Sequence, residues 1–293
     1  MNYTIENESL RVEFTDLGAE MMSLVGKKTG FEYLWQGDPT YWRSRATVLF
    51  PICGRLTDGK YTYRGKTYEM ILHGFAKRQV YTVVDQKADA ITFELRPNEE
   101  TKAAYPFDFI FRVIYTLDGA TVRTTMAVEN NGTEVLPFSC GGHPGFNIPF
   151  VEGESFEDYY MEFACEKPVK SLVMSPTCYY TGKTQPFALR EGRFLDMKHS
   201  LFDNDAIFLE DMCHTVSLKS RKNDRAVTVH FEDMTHLGFW HAPKSEAPYV
   251  CIEPWHGVPA YQDKIDDMET KNEIMHLPVG EKYSNYFEVT ITE

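Results

Sequence analysis

The sequence predicts an all-β fold, a large antiparallel β-sandwich with few short helices, and three observations support this class. Apolar and polar residues alternate with a period of two along several segments, which is the spacing of side chains on a half-buried strand. Turn residues such as Gly, Asn and Asp separate these segments at short intervals. Helical periodicity is rare and brief, so the pattern does not indicate βαβ units with a parallel sheet.

The individual strands and turns can be predicted in chain order. We predict strands within residues 91–95, 109–117, 122–128, 216–218, 227–231 and 287–291. Turns are predicted at residues 64–66, 118–119 and 222–225, and the Asp-Gly pair of the second one is a strong hairpin signal. Short helices are candidates over residues 98–104 and 266–275. Because no repeat or linker is visible, we expect residues 1–293 to form one domain.

Charge and composition exclude several classes of partner. The 293 residues include 30 Lys and Arg against 43 Asp and Glu, and the formal net charge of −13 argues against nucleic acid and anionic membranes as partners. There is no apolar stretch of about 18 residues, and the first residues lack a secretory pattern, so we expect a cytoplasmic protein. The six cysteines form no C-x-x-C pair, and we expect free thiols in a reducing compartment.

Four segments interrupt the strand pattern and concentrate Gly, Pro, His and acidic residues, a composition typical of functional loops. They span residues 50–56, 72–76, 139–147 and 249–255, and they carry Arg55, His73, His143 and Glu253. The Gly and Pro residues around His143 predict an irregular turn that presents its imidazole. Each of these side chains also has a structural reading, as a solvated Arg, a packed His, or a Glu that caps or ion-pairs at a strand end.

Taken together and in this order, the four segments resemble those of the aldose 1-epimerase (galactose mutarotase) family, in particular its LacX-like branch. The matching motifs are Phe50-Pro51…Gly54-Arg55, His73-Gly74-Phe75, Gly142-His143-Pro144…Phe146-Asn147 and Ile252-Glu253-Pro254-Trp255. Further similarity lies within residues 105–107, 115–117, 201–207 and 277–281, so the resemblance covers nearly the whole chain.

The resemblance implies a fold, a reaction and a set of site residues. The fold would be the galactose mutarotase-like β-supersandwich, with a sugar cleft on a concave sheet. His143 would be the catalytic acid and Glu253 the catalytic base, while Arg55, His73 and Asp205 would contact the substrate. The reaction would interconvert the α and β anomers of a free hexose, without cofactor or metal, in a monomer or homodimer.

These residue types suit the opening of a hemiacetal ring. A proton must leave the anomeric hydroxyl O1 and another must reach the ring oxygen O5, so we expect an acid and a base on opposite sides of the ring. Reference pKa values of about 4.3 and 6.5 predict an ionised Glu253 and a His143 whose pKa is raised by a nearby carboxylate. The candidate sugar-stacking platforms, which the sequence does not rank, are Trp35, Trp42, Phe146, Trp240 and Trp255.

The identity of the sugar is open, and so are two related functions. Cys53 and Trp255 differ from their counterparts in well-studied galactose-specific members of the family. A hexose-6-phosphate 1-epimerase would need a basic pocket, to which Arg55, Lys77 and Arg78 are candidate contributors. A non-catalytic sugar-binding protein could be built on the same fold.

Two further enzyme classes are less well supported by the sequence. A metal-dependent β-barrel enzyme would use His73, His143 and Glu253 as ligands, but no compact ligand motif is present. A glycoside hydrolase would need two carboxylates, for which only Glu253 and Asp205 are candidates.

Overall fold

The computed structural model describes residues 1–293 as 24 β-strands, one α-helix and four short 3₁₀ segments. The strands of the first half are β1 Asn2–Glu6, β2 Leu10–Thr15, β3 Met21–Gly26, β4 Ala46–Leu49, β5 Lys60–Tyr63, β6 Lys66–Glu69, β7 Thr82–Gln86, β8 Ala90–Leu95, β9 Phe109–Asp118, β10 Thr121–Asn130, β11 Leu136–Phe138 and β12 Cys140–Asn147. Those of the second half are β13 Tyr159–Phe163, β14 Val169–Met174, β15 Tyr180–Phe187, β16 Phe194–Asp196, β17 Ile207–Glu210, β18 Thr215–Ser220, β19 Ala226–Phe231, β20 His236–Trp240, β21 Tyr249–His256, β22 Asp266–Asp267, β23 Met275–Leu277 and β24 Lys282–Thr292. Helix α1 is Glu99–Ala104, and the 3₁₀ segments are Thr57–Gly59, Ala76–Arg78, Phe156–Asp158 and His199–Phe202.

A nine-stranded antiparallel sheet forms one layer, in the order β16-β13-β18-β19-β24-β10-β9-β8-β7. Its central strands alternate buried and partly exposed residues, as the period of two predicts. The turn at Asp118 and Gly119 joins β9 to β10 in a hairpin whose register pairs Asp118 with Thr121. All six predicted strands lie in this sheet, and the turns at residues 64–66, 118–119 and 222–225 are confirmed.

A seven-stranded antiparallel sheet forms the second layer, in the order β15-β14-β17-β20-β21-β12-β4. Its central strands β12 and β21 are buried along almost their whole length. On β12, Gly142 faces the nine-stranded sheet, because a Cβ there would lie 2.4 Å from the Phe287 ring of β24. The side chain of His143 therefore points to the opposite face of this sheet.

Three small sheets complete the fold: β1-β2-β3, β11-β23 and β22-β5-β6. A cluster of 67 buried hydrophobic residues draws members from all five sheets. Because one core joins all five sheets, we propose that residues 1–293 form a single domain. No helix is long and apolar enough to cross a membrane.

Of the two predicted helices, one is confirmed and the other is wrong. Asn98 caps α1 by accepting a hydrogen bond from the Thr101 amide at 2.9 Å, and the Thr101 hydroxyl accepts one from the Asn98 amide in return. Residues 266–275 instead form the short strand β22, turns and the first residue of β23. Here pairing of Asp266 with Tyr61 of β5 overrides a weak helical propensity.

The prediction that all six cysteines are free thiols is wrong for one pair. Cys165 and Cys213 form a disulfide with their Cα atoms 6.0 Å apart, which is within the usual range. The remaining four are free, and of these only Cys178 is not buried. Spacing along the chain carries no information on this pairing, because 48 residues separate the two cysteines.

Candidate active site

A cleft of about 340 Å³ opens on the face of the seven-stranded sheet that points away from the nine-stranded sheet. All five residues predicted to form the site line it: Arg55, His73, His143, Asp205 and Glu253. They come from five separate segments of the chain, so only the folded sheet brings them together.

His143 and Glu253 lie side by side on the two central strands of the sheet. The register that pairs Gly141 with Trp255 and Gly145 with Cys251 sets His143 opposite Glu253. The imidazole Nε2 is 3.3 Å from the carboxylate Oε2. The expectation that acid and base would lie on opposite sides of a sugar ring is therefore wrong, because this gap is too small to hold a ring.

The segment around His143 is a regular strand, and the predicted irregular turn is wrong. β12 runs from Cys140 to Asn147 and pairs with β4 on one side and β21 on the other. Its glycines are explained by close packing, since a Cβ at Gly141 would lie 2.8 Å from the Pro254 carbonyl oxygen. At Gly145 a Cβ would meet Trp42 at 3.2 Å. The glycines let aromatic side chains approach the strand beside His143.

Burial controls the protonation of the central pair. It lowers the pKa of His143 to about 3, with a smaller effect in the same direction from the Lys77 ammonium. It also raises the pKa of Glu253 well above 4.5, and the nearby Asp205 carboxylate adds to this. This direction is opposite to the expected increase in the pKa of His143, because desolvation disfavours the charged imidazolium.

Two polar atoms of this pair have no hydrogen-bond partner. They are Nδ1 of His143 and Oε1 of Glu253, and both are buried. Buried polar atoms without partners are rare in folded proteins and are destabilising. Both atoms belong to side chains that line the cleft, so a bound ligand could supply the missing hydrogen-bond partners.

The His73 imidazole is held in a defined orientation by the segment that carries Arg55. Its Nδ1 accepts a hydrogen bond from the Gly54 amide at 3.1 Å, and its own amide donates to the Gly54 carbonyl at 2.8 Å. Burial lowers the pKa of His73 well below 6.5, so the ring is neutral and Nε2 carries the proton. Gly74 makes this turn possible, because a Cβ there would lie 2.2 Å from the Phe50 carbonyl oxygen.

Arg55 and Asp205 form a polar wall of the cleft. Nη2 of Arg55 lies 3.6 Å from Oδ2 of Asp205, and Nη1 donates to the Thr177 carbonyl at 3.2 Å. Oδ1 of Asp205 accepts a hydrogen bond from the Trp240 indole at 2.7 Å. Both charged side chains are thus oriented by neighbours while part of each stays exposed to the cleft.

Three of the five candidate aromatic platforms line the cleft, namely Trp42, Trp240 and Trp255. The Trp42 ring stacks on the His143 imidazole with centroids 4.8 Å apart and an interplanar angle of 29°. Trp35 and Phe146 are buried and lie outside the cleft lining. Composition could not make this distinction, since all five are large aromatic residues.

Several lining residues were not predicted as part of the site. Met174, Cys178 and Phe208 belong to the β14–β17 side of the sheet, and no local motif marks them. Lys77 was considered only as a candidate for phosphate binding, and it lines the cleft whereas Arg78 does not. A third potential ligand group, the Cys251 thiol, lies with His143 and Glu253 in a cluster whose ligand atoms are all within 4.8 Å of one another.

Comparison with known proteins shows the family of the chain. The family model for aldose 1-epimerase matches residues 1–290. Among curated proteins, the chain is 36% identical to the chromosomal protein LacX of Lactococcus lactis subsp. lactis over 303 residues, which covers 99% of each chain.

Solved structures give the same result. A galactose mutarotase related enzyme from Lactobacillus acidophilus superposes with a TM-score of 0.95 at 36% identity, covering 100% of this chain and 98% of that one. A galactose mutarotase-like protein from Lactobacillus casei gives a TM-score of 0.94 at 29% identity and covers 100% of each chain. The predicted resemblance and fold class are confirmed, while the roles of the individual site residues stay predictions.

Proposed function

The chain belongs to the aldose 1-epimerase family and is an isomerase, and we propose that it interconverts the α and β anomers of a free hexose by acid–base ring opening. The observation that carries this proposal is the 3.3 Å separation between Nε2 of His143 and Oε2 of Glu253 on the wall of a sugar-sized cleft. O1 and O5 of an aldose are both bonded to the anomeric carbon. A side-by-side acid and base can therefore reach both oxygens at once.

The central pair holds the number of protons that the reaction needs. Burial favours a neutral imidazole and a protonated carboxyl group in the free enzyme. This state contains the same number of protons as an imidazolium beside a carboxylate. Moving that proton from Glu253 to His143 as the sugar binds gives a base for O1 and an acid for O5.

The reaction then proceeds in two symmetric halves. The Glu253 carboxylate takes the proton from O1 while His143 donates its proton to O5, so the ring opens to the aldehyde. The C1–C2 bond rotates, and O5 attacks the other face of the carbonyl. His143 takes back the O5 proton and Glu253 returns a proton to O1, which restores the starting state of the enzyme.

The polar wall of the cleft would bind and orient the sugar. The Nε2 proton of His73 and the guanidinium of Arg55 are donors to sugar oxygens, and Asp205 is an acceptor for a hydroxyl. Trp42 and Trp240 offer flat apolar surfaces for the C–H groups of the ring. The chemistry needs no redox step, and each proton moves between a side chain and the substrate.

Polarimetry on freshly dissolved α-glucose and α-galactose tests the proposal. The protein should speed the approach to the equilibrium rotation, and Glu253→Gln or His143→Asn should remove most of that acceleration. Arg78→Gln is a control variant, because this neighbouring basic residue lies outside the cleft lining. Equal rates with and without the wild-type protein, across several free hexoses, would contradict the proposal.

A second candidate substrate, a hexose 6-phosphate, is favoured by one specific observation. Lys77 lines the cleft, and an ammonium at this place could bind the phosphate group of a sugar. Burial lowers its pKa to about 8, which leaves it mostly charged at neutral pH. Comparing glucose with glucose 6-phosphate for wild type, Lys77→Met and Arg78→Met decides this, since only Lys77→Met should reduce a preference for the phosphorylated sugar.

A further inference from the structure

The Cys251 thiol lies beside the two proposed catalytic groups, although the reaction does not use it. Cys251 precedes Glu253 by two residues on β21, so the two side chains project from the same face of the strand. His143 is opposite Glu253 on β12. One imidazole nitrogen, one thiol sulfur and one carboxylate oxygen therefore lie within 4.8 Å of one another.

This set of atoms has the composition of a zinc site. Zn²⁺ binds His nitrogen, Cys sulfur and carboxylate oxygen at about 2.0–2.3 Å in a tetrahedral arrangement, which places ligand atoms roughly 3.3–3.7 Å apart. Nε2 of His143 and Oε2 of Glu253 already have this spacing, at 3.3 Å. All three ligand atoms lie within 4.8 Å of one another, so the sulfur exceeds this spacing by at most about 1.5 Å.

The surroundings of these groups also fit a cation. Oε1 of Glu253 has no hydrogen-bond partner, although the residue is only 1% exposed. His143 is 7% exposed and Cys251 is fully buried, so all three side chains are held in a largely water-free environment. A bound cation would satisfy a carboxylate that the protein leaves without a partner. His143 and Glu253 line the cleft, so a fourth coordination position would face open space.

We propose that His143, Cys251 and Glu253 form a binding site for a thiophilic divalent metal of the zinc group, and that the bound metal switches the enzyme off. The metal would displace the thiol proton of Cys251 and the proton held by the His143–Glu253 pair, and both protons would pass to solvent. It would then occupy the lone pairs of His143 and Glu253 on which the two groups must hold protons during ring opening. The binding itself does not depend on the proposed sugar reaction.

Cys178 provides a matched control within the same cleft. Its thiol is partly exposed, lines the cleft and lies near Asp205, but the Arg55 guanidinium is also close to that carboxylate. The positive charge of Arg55 disfavours a second cation there. If accessibility of the thiol alone controlled binding, the metal would bind Cys178, whereas the proposed site requires the buried Cys251.

Cadmium titration of the full chain, first stripped with a chelator, tests the site directly. Cd²⁺ should bind to one equivalent with the ultraviolet absorption of a cadmium–thiolate bond in wild type and in Cys178→Ser. In Cys251→Ser that absorption should disappear and the affinity should fall by at least about 10-fold. Loss of a group that only hydrogen-bonds to a metal ligand already costs about this much. His143→Asn should also weaken binding while keeping the thiolate absorption.

An activity measurement extends the test to regulation. Zn²⁺ should inhibit wild type and Cys178→Ser, a chelator should reverse this, and Cys251→Ser should resist inhibition at the same metal concentration. Cys251→Ala serves as a second variant if the serine variant does not fold. Thiolate absorption that survives loss of Cys251, or that disappears with Cys178, would overturn the proposal. If the protein isomerised no sugar, the titration would still decide whether the site binds metal.

Discussion

The centre of the seven-stranded sheet and the outer face of the nine-stranded sheet differ in how their charged residues are paired. On the outer face of the nine-stranded sheet, Arg112 lies 2.7 Å from Glu94 and Arg123 lies 2.7 Å from Glu288, in cross-strand ion pairs. At the centre of the seven-stranded sheet, His143 and Glu253 are buried, and each keeps one polar atom without a partner. Both sheets obey the same rules of strand pairing.

The ion pairs of Arg112 and Arg123 are compatible with a stabilising role, whereas the buried His143–Glu253 pair is the one that we propose to be catalytic. Exposed, paired charges contribute little free energy but do not oppose folding. Buried groups that lack partners destabilise the fold, and such strain is commonly found at functional sites. We therefore expect substitutions of the buried His143–Glu253 pair to change activity more than stability, and substitutions of core residues in the nine-stranded sheet to do the reverse.

The largest expected effect is the loss of activity in Glu253→Gln. Removing the base should slow anomer exchange by roughly 10²–10⁴-fold, while the free energy of unfolding should stay the same or rise because a buried acid is replaced by a neutral amide. Polarimetry and urea unfolding measure the two quantities. A variant that loses stability in proportion to activity would contradict the contrast between the sheets.

The converse variant is Phe93→Ala in the nine-stranded sheet. Phe93 is fully buried on β8 and contacts Phe14 and Tyr115, so its truncation should lower the free energy of unfolding by about 3–5 kcal/mol. The specific activity of the folded fraction should match that of wild type, since Phe93 does not line the cleft. Urea unfolding followed by fluorescence, with activity measured in the absence of urea, tests both statements.

The two catalytic candidates should show opposite pH effects on stability. Folding lowers the pKa of His143 from 6.5 to about 3, so only the unfolded chain takes up that proton in this window, and stability falls as the pH decreases. Folding raises the pKa of Glu253 above 4.5, so the folded chain keeps a proton that the unfolded chain loses, and stability falls as the pH increases.

It follows that His143→Asn should gain stability over wild type mainly at acidic pH, and Glu253→Gln mainly at neutral and alkaline pH. Urea unfolding of the three proteins between about pH 4 and 8 measures these differences. The same pH dependence in both variants would show that burial does not control the protonation of the two groups as described.

The smallest expected effect is that of Arg123→Ala on the outer face of the nine-stranded sheet. Arg123 is half exposed and pairs with Glu288, and exposed pairs of this kind contribute about 0.2–1 kcal/mol. Unfolding at low and high salt should show a small loss that shrinks further as salt screens the charges. A loss of several kcal/mol would mean that this face also depends on its charges.

Much of the nine-stranded sheet could be predicted from the sequence, because its signals are local. The alternation in residues 109–117 and the Asp118-Gly119 turn each depend on residues that are neighbours along the chain. Four of the candidate site residues were found through four short motifs in a fixed order, and Asp205 through a looser similarity within residues 201–207. The motifs identify a family even though no motif alone reveals its neighbours in space. All five line one cleft.

What only the tertiary structure decided is the arrangement and protonation of those residues. His143 and Glu253 are 110 positions apart, and it is the register between β12 and β21 that sets them side by side rather than across a ring. The same holds for Gly141, whose role is to admit a neighbouring strand and not to make a turn. The sequence by itself determined the period of the strands, the order of the motifs and hence the family. Register, close packing and the loss of water around a charged group depend on atoms from distant segments, so only the folded chain determines them.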